Sequence, residues 1–177
     1  AAMGGEFIAP GSPRDSIQFI DARDLAQFAL EAIERRIVGT FNVTSPPGRF
    51  TMGGLIDAAV SSAGRFAKPV LAPLPMWMPP DFLAAHNVEP WSDMPVWLPA
   101  EGQQLAFAET RVDKALDAGL QIRALQSTMD DTLNWYLSRP EAERTKLKAG
   151  IDRTREDAVL AAWHARTDDP PELAPSP

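Results

Sequence analysis

Asp21, Arg23 and Asp24 stand together directly after the extended run Ser16-Ile-Gln-Phe-Ile-Asp21. Two chemistries suit them: they line a cleft in which Arg23 holds a substrate oxygen, or Asp21 caps a helix whose dipole favours first-turn carboxylates. Asn42 and Thr44 alternate with Phe41 and Val43, so on a strand one pair faces a cleft and the other a core. Trp77, Trp91 and Trp97 lie among prolines. They either wall an apolar pocket for an aromatic or acyl substrate or anchor a proline-rich cover to the core. The candidate substrate-binding residues are therefore Arg23, Asn42, Trp77, Trp91 and Trp97. None of the five is assigned a catalytic role.

Other reactive groups are sparse. The chain has no cysteine and two distant histidines, His86 and His164, which is poor material for a metal site. His86 suits a proton shuttle or, equally, the end of a short helix. Arg14 and Arg49 sit in turns, where they meet a substrate carboxylate or cofactor phosphate or, as is commoner for turn arginines, simply water. A net charge of −7 over 177 residues opposes binding to a phosphate backbone, so nucleic acid is not expected as a partner. Apolar runs break well before the ~18 residues a membrane span needs, and no signal peptide is evident; cytoplasm is the default compartment.

These residues must be positioned by alternating strands and helices. Residues 4–9 and 16–21 read as extended segments around a Pro-Gly-Ser-Pro turn. A helix from Asp21 carries Leu25, Phe28, Ala29, Ala32 and Ile33 on one face and closes at Gly39. Thr40–Ser45 reads as a buried strand. Thr51 caps a second helix with the stripe Met52, Leu55, Ile56, Ala59 and Val60, stopping at Gly64. Residues 69–74 form an edge strand, because Pro73 lacks a donor. Eight prolines between Pro69 and Pro99 make residues 75–109 irregular, apart from a short helix near 81–86. Thr110 opens a helix ending at Gly119-Leu120, Ser127 with Asp130 opens another, and Asp152 caps a last one over 153–166. Residues 168–177 have the composition of a disordered tail. The fold class is α/β, with a few short strands, about five helices and a Pro/Trp-rich irregular segment.

Ala9-Pro-Gly11, Ile17-Gln-Phe-Ile-Asp-Ala-Arg-Asp-Leu-Ala26 and Gly39-Thr-Phe-Asn-Val43, in that order, resemble the late half of extended short-chain dehydrogenases/reductases and NAD-dependent epimerases. The likeness continues through Pro90–Trp97, Lys114–Leu120 and Thr128–Trp135, and so covers most of residues 1–167. No one of these motifs is specific; their order and spacing carry the resemblance. It implies that residues 1–167 are a substrate-binding portion plus the last elements of a Rossmann sheet. The helix from Asp21 would then lie beside the substrate cleft. The opening strand, with no cap before it, reads as an interior segment of a longer protein.

Two family features do not occur. There is no Gly-x-x-Gly-x-x-Gly turn, which would bring backbone amides to a cofactor pyrophosphate. There is no Tyr-x-x-x-Lys pair either: the single tyrosine, Tyr136, is followed four positions later by Pro140. The resemblance therefore implies NAD or NADP bound by a missing amino-terminal Rossmann half, none by this chain, and no activity for it alone. Nucleotide-sugar members carry an arginine where Ile17 stands, so the implied substrate is a small carbonyl or hydroxyl compound other than a nucleotide sugar. Two other classes of function stay open: a stand-alone binding or regulatory module that has lost catalysis, and an interaction protein that self-associates into a homo-oligomer.

Overall fold

Asp21 does cap a helix. In the computed structural model, which describes residues 1–104, 106–144 and 149–167, its side chain accepts the Arg23 backbone N–H at the head of α1 (Ala22–Glu34). Thr51 does the same for α2 (Met52–Ser62) by accepting from Gly54. Asp152 accepts from Thr154 and Arg155 at the head of α7 (Arg153–Thr167). Each is a short polar side chain answering an N–H that has no partner within its helix. The predicted tail, 168–177, lies outside the described residues.

The architecture is mixed α/β. Strand β1 (Gly5–Pro10) runs parallel to β4 (Pro73–Met78), in register from Gly5 opposite Pro73 to Pro10 opposite Met78. Strand β2 (Ser16–Ile17) pairs antiparallel with β3 (Phe50–Thr51). The two opening segments thus do not pair with each other. Asp15 holds the Ser12 backbone N–H and hydroxyl and turns the chain between them, and β1's parallel partner lies across α1 and α2, as a parallel pairing requires. The free edge of β1 is closed by α7: Glu156 accepts the Ile8 N–H at 3.0 Å, and Arg153 reaches the Glu6 carbonyl. These two side chains occupy the place of a further strand. The expected strand at 69–74 lies instead at 73–78, with Val70 and Leu71 exposed outside it; because β4 runs to Met78, Trp77 lies on a strand and not in the irregular cover.

Ile8, Ala9, Met78, Leu83, Trp97, Val159 and Leu160 form the main core, between β1, α3 (Pro80–Ala85) and α7. A smaller core joins Phe28 of α1 to Ala115 of α4 (Asp113–Asp117) and to Leu120. Gly119, at φ 110°, lets the Leu120 N–H return to the Ala115 carbonyl, which is the expected stop.

Several expectations are corrected. α1 ends at Glu34, five residues before Gly39, because Arg36 takes the left-handed conformation (φ 55°) while its own N–H and that of Ile37 close onto Ile33 and Ala32. Gly64 does not stop α2. The chain continues through a π-helical turn, Ala63–Ala67, to a left-handed Lys68. Thr40–Ser45 is not a strand: it forms no ladder among the described residues, the Ser45 N–H bonds the Phe19 carbonyl just beyond β2, and Phe41 and Val43 pack on the smaller core. Thr110 caps nothing; its N–H and carbonyl are taken by Gln18. Ser127 lies inside α5 (Leu125–Ser138), and a short α6 (Glu141–Arg144) follows Pro140.

The largest departure concerns α1's buried side. Asp24 and Phe28 are 7% and 6% exposed, whereas Leu25 and Ile33 are 44% and 74% exposed. The apolar stripe Ala22, Leu25, Ala26, Ala29 and Ile33 therefore faces outward. No helix among the described residues is long and apolar enough to cross a membrane.

Candidate functional site

A charge network joins α1 to α5. Asp21 accepts from both the backbone and the guanidinium of Arg23 and from the Thr128 hydroxyl (2.8 Å), and Arg23 also bridges to Asp131. Asp24 accepts the Arg123 Nε (2.6 Å) and backbone N–H (3.0 Å). Arg23 does border an open groove of about 570 Å³, with Ile20, Thr132 and Trp135. Its charge is already shared between two carboxylates there, so the groove is not an anion clamp.

The network sets an acid limit. The Asp21 carboxyl is held well below the ordinary carboxylate range, first by the side-chain hydrogen bonds from Arg23. Asp93 is lowered chiefly by Arg155, and Asp130 chiefly by the Ser62 hydroxyl. Because these pKa values are lower in the folded state, the unfolded chain takes up protons first. The stability they supply is complete above the unfolded value of about 4 and is lost as pH falls through the folded values. Urea midpoints are expected to be level between about pH 7 and 5 and to drop below about pH 4. In Asp21→Asn the drop should be shallower, and an undiminished drop in that variant would refute the contribution.

Asn42 donates to the Arg111 carbonyl at 3.0 Å. Beside it Gln18 donates to the Ser45 and Thr110 carbonyls and accepts the Thr110 N–H. Two carboxamides thus hold the backbone at 110–111, which makes Asn42 a positioning group.

The three tryptophans do not share a cavity. Trp97 is 1% exposed, its indole within the core and its Nε1 donating to Asp15 at 3.3 Å. Trp77 packs half-buried against the same core. Trp91 is 54% exposed, at φ 66°, and meets Phe107 edge-on at 5.5 Å.

Phe107 borders a cavity of about 220 Å³ that sequence reasoning missed. Its walls are Ser16 and Ile17 of β2 and, opposite, Val96, Leu98, Phe107 and Glu109, with Gln104 also at its border. Val96 is held at φ 70°, which is strained for a β-branched residue. The trace in the sequence was the apolar run Val96-Trp97-Leu98, whose middle residue turns into the core while its neighbours line the cavity. The surrounding prolines obscured it.

The head of α2 does not cradle a dinucleotide's phosphates. There the N–H groups of Met52, Gly53 and Gly54 are taken by Asp15, Pro13 and Thr51. A side chain at Gly53 would meet the Pro13 carbonyl oxygen at 2.7 Å, so Gly53 serves the close approach of α2 to the turn at Pro13 and leaves no cradle for phosphate there. The Tyr136 hydroxyl donates to the Arg144 carbonyl. His86 bonds the Phe82 carbonyl and stacks on its ring, and His164 meets Glu6 at 2.7 Å. Among the described residues, no group of three or more His, Asp or Glu is placed to hold a metal ion. No protein-family model matches the chain, and no curated protein is significantly similar to it.

Proposed function

We propose that the chain is the substrate-side part of an NAD(P)-dependent oxidoreductase or epimerase of the extended short-chain dehydrogenase/reductase type. The observation that carries this reading is the outward apolar stripe of α1. A helix with a strong apolar face ordinarily buries it; here the face lies bare while a carboxylate, Asp24, is buried on the opposite side. A Rossmann half laid on Ala22, Leu25, Ala26, Ala29 and Ile33 would cover it and would give Thr40–Ser45 a ladder to join. The motif order from Ala9 to Val43 agrees with that arrangement. The nicotinamide, when bound by that half, exchanges hydride with the substrate. This chain then contributes cavity shape, exclusion of water and selectivity.

Calorimetric titration of the chain with NADH and NADPH is expected to give no saturable binding up to about 1 mM. The coding sequence upstream is expected to encode a Gly-x-x-Gly-x-x-Gly turn and a Tyr-x-x-x-Lys pair. Micromolar binding by the chain itself, or an upstream region without those motifs, overturns the reading. The same bare stripe supports a second reading, self-association of the chain. A monomer at high concentration in the ultracentrifuge would rule that out.

A further inference from the structure

We infer that the loop between the π-helical turn and β4 is a contact site for an anionic lipid surface, with Val70 and Leu71 as the side chains that enter it. Between Asp57 and Asp81 the chain carries no acidic residue, and its only ionisable groups there are Arg65 and Lys68. On a chain with 24 acidic residues and a net charge of −7, this stretch is a positive spot on a negative molecule. The field of the molecule therefore turns this loop, and not another face, toward a negative surface. Arg65 is paired with Asp130 at 2.6 Å, whereas Lys68 has no ion-pair partner among the described residues.

The apolar side chains beside Lys68 are bare. Val70 is wholly exposed, Leu71 and Leu74 are more than half exposed, and Phe66 and Met3 also meet water. Met3 adjoins this set because Gly4 backs directly onto Pro69 and the Leu71 carbonyl. Glu6, opposite Leu74 in the ladder, has its carboxylate on His164 at 2.7 Å. Single exposed apolar residues are ordinary, but a contiguous set marks a surface that something covers. The shape of the loop favours a bilayer. Lys68 is left-handed (φ 47°) with its N–H closed on the Ala63 carbonyl, which turns the chain away from the helix, and Pro69 and Pro73 stiffen the loop that follows. A projecting tip that is already rigid loses little freedom on entering a headgroup layer, where apolar area and attraction to anionic lipid add. It needs no matching pocket, which a protein partner would have to supply. The bare stripe of α1 lacks this charge pattern, since Asp24, Glu31 and Glu34 lie on the same helix.

The contact does not depend on the function proposed above. The chain would be sedimented with vesicles of phosphatidylcholine alone and of phosphatidylcholine with roughly 30% phosphatidylserine. Binding to the mixed vesicles is expected, and weaker binding to the neutral ones. Val70→Asp with Leu71→Asp should lower it about tenfold or more, and Lys68→Glu about fivefold. Neither change should move the Tm, because all three side chains are exposed. Leu25→Asp with Ile33→Asp, on α1, should leave vesicle binding unchanged. No sedimentation with the mixed vesicles, equal sedimentation with the neutral ones, or a loss caused by the α1 pair in place of the loop pair would each overturn the inference. So would a dimer in the ultracentrifuge that Val70→Asp with Leu71→Asp converts to monomer, since a second copy of the chain would then be the occupant.

Discussion

Trp97→Ala is expected to cost about 3–5 kcal/mol, the largest effect of any single replacement proposed for this chain. Its indole is 1% exposed and contacts the core that joins β1, β4, α3 and α7. Truncation to alanine removes that packing and leaves a cavity that strands pinned by backbone hydrogen bonds cannot fully collapse. Domains are typically stable by about 5–15 kcal/mol, so the variant would populate its unfolded state measurably. Trp97→Phe separates the contributions. It keeps much of the apolar volume and loses the bond to Asp15, worth about 1 kcal/mol, while Asp15 stays satisfied by the Ser12 N–H and hydroxyl. Urea denaturation measures both. A loss below about 1 kcal/mol for Trp97→Ala would mean the indole is not packed as described.

Asp24→Ala is expected to cost about 2–4 kcal/mol. The carboxylate is 7% exposed and accepts both the side chain and the backbone of Arg123, 99 residues away. Its removal leaves a guanidinium that is only 26% exposed, beside the small core of Phe28 and Leu120, with the more distant Asp21 at 3.6 Å as its carboxylate partner. Water reaches part of that guanidinium, which keeps the expected loss below that of a fully buried pair. Asp24→Ala combined with Arg123→Met should recover much of it, since an apolar side chain does not need the hydrogen bond that Asp24 accepted. No recovery in the double variant would show that the cost is one of shape and not of charge.

Asp24 also shows why α1 was misread in part. Leu25, Phe28, Ala29, Ala32 and Ile33 form one periodic set, and a burial rule applied to the helix alone turns that set inward. In the chain as folded, Phe28 is inside with Asp24, while Leu25 and Ile33 face out. The helix is oriented by Arg123, Ala115 and Leu120, all more than 80 residues downstream, and its stripe is left facing outward. The cavity at Ser16 was missed for a related reason. Its two walls are about 80 residues apart, and one of them lies in a stretch whose prolines suppress any regular pattern.

What the sequence determined by itself was local: the caps at Asp21, Thr51 and Asp152, the stop at Gly119-Leu120, the donor-free edge residue Pro73, and the mixed α/β class. Each depends on groups within about one helical turn or one strand spacing of each other. Tertiary structure alone decided that β1 takes β4 as partner and not β2, that Trp97 is core while Trp91 is surface, that Asn42 holds backbone, and that α1 shows its apolar side outward. Those outcomes turn on which distant surfaces compete for the same apolar area and the same hydrogen bonds, and a pattern read along one element carries no record of its competitors.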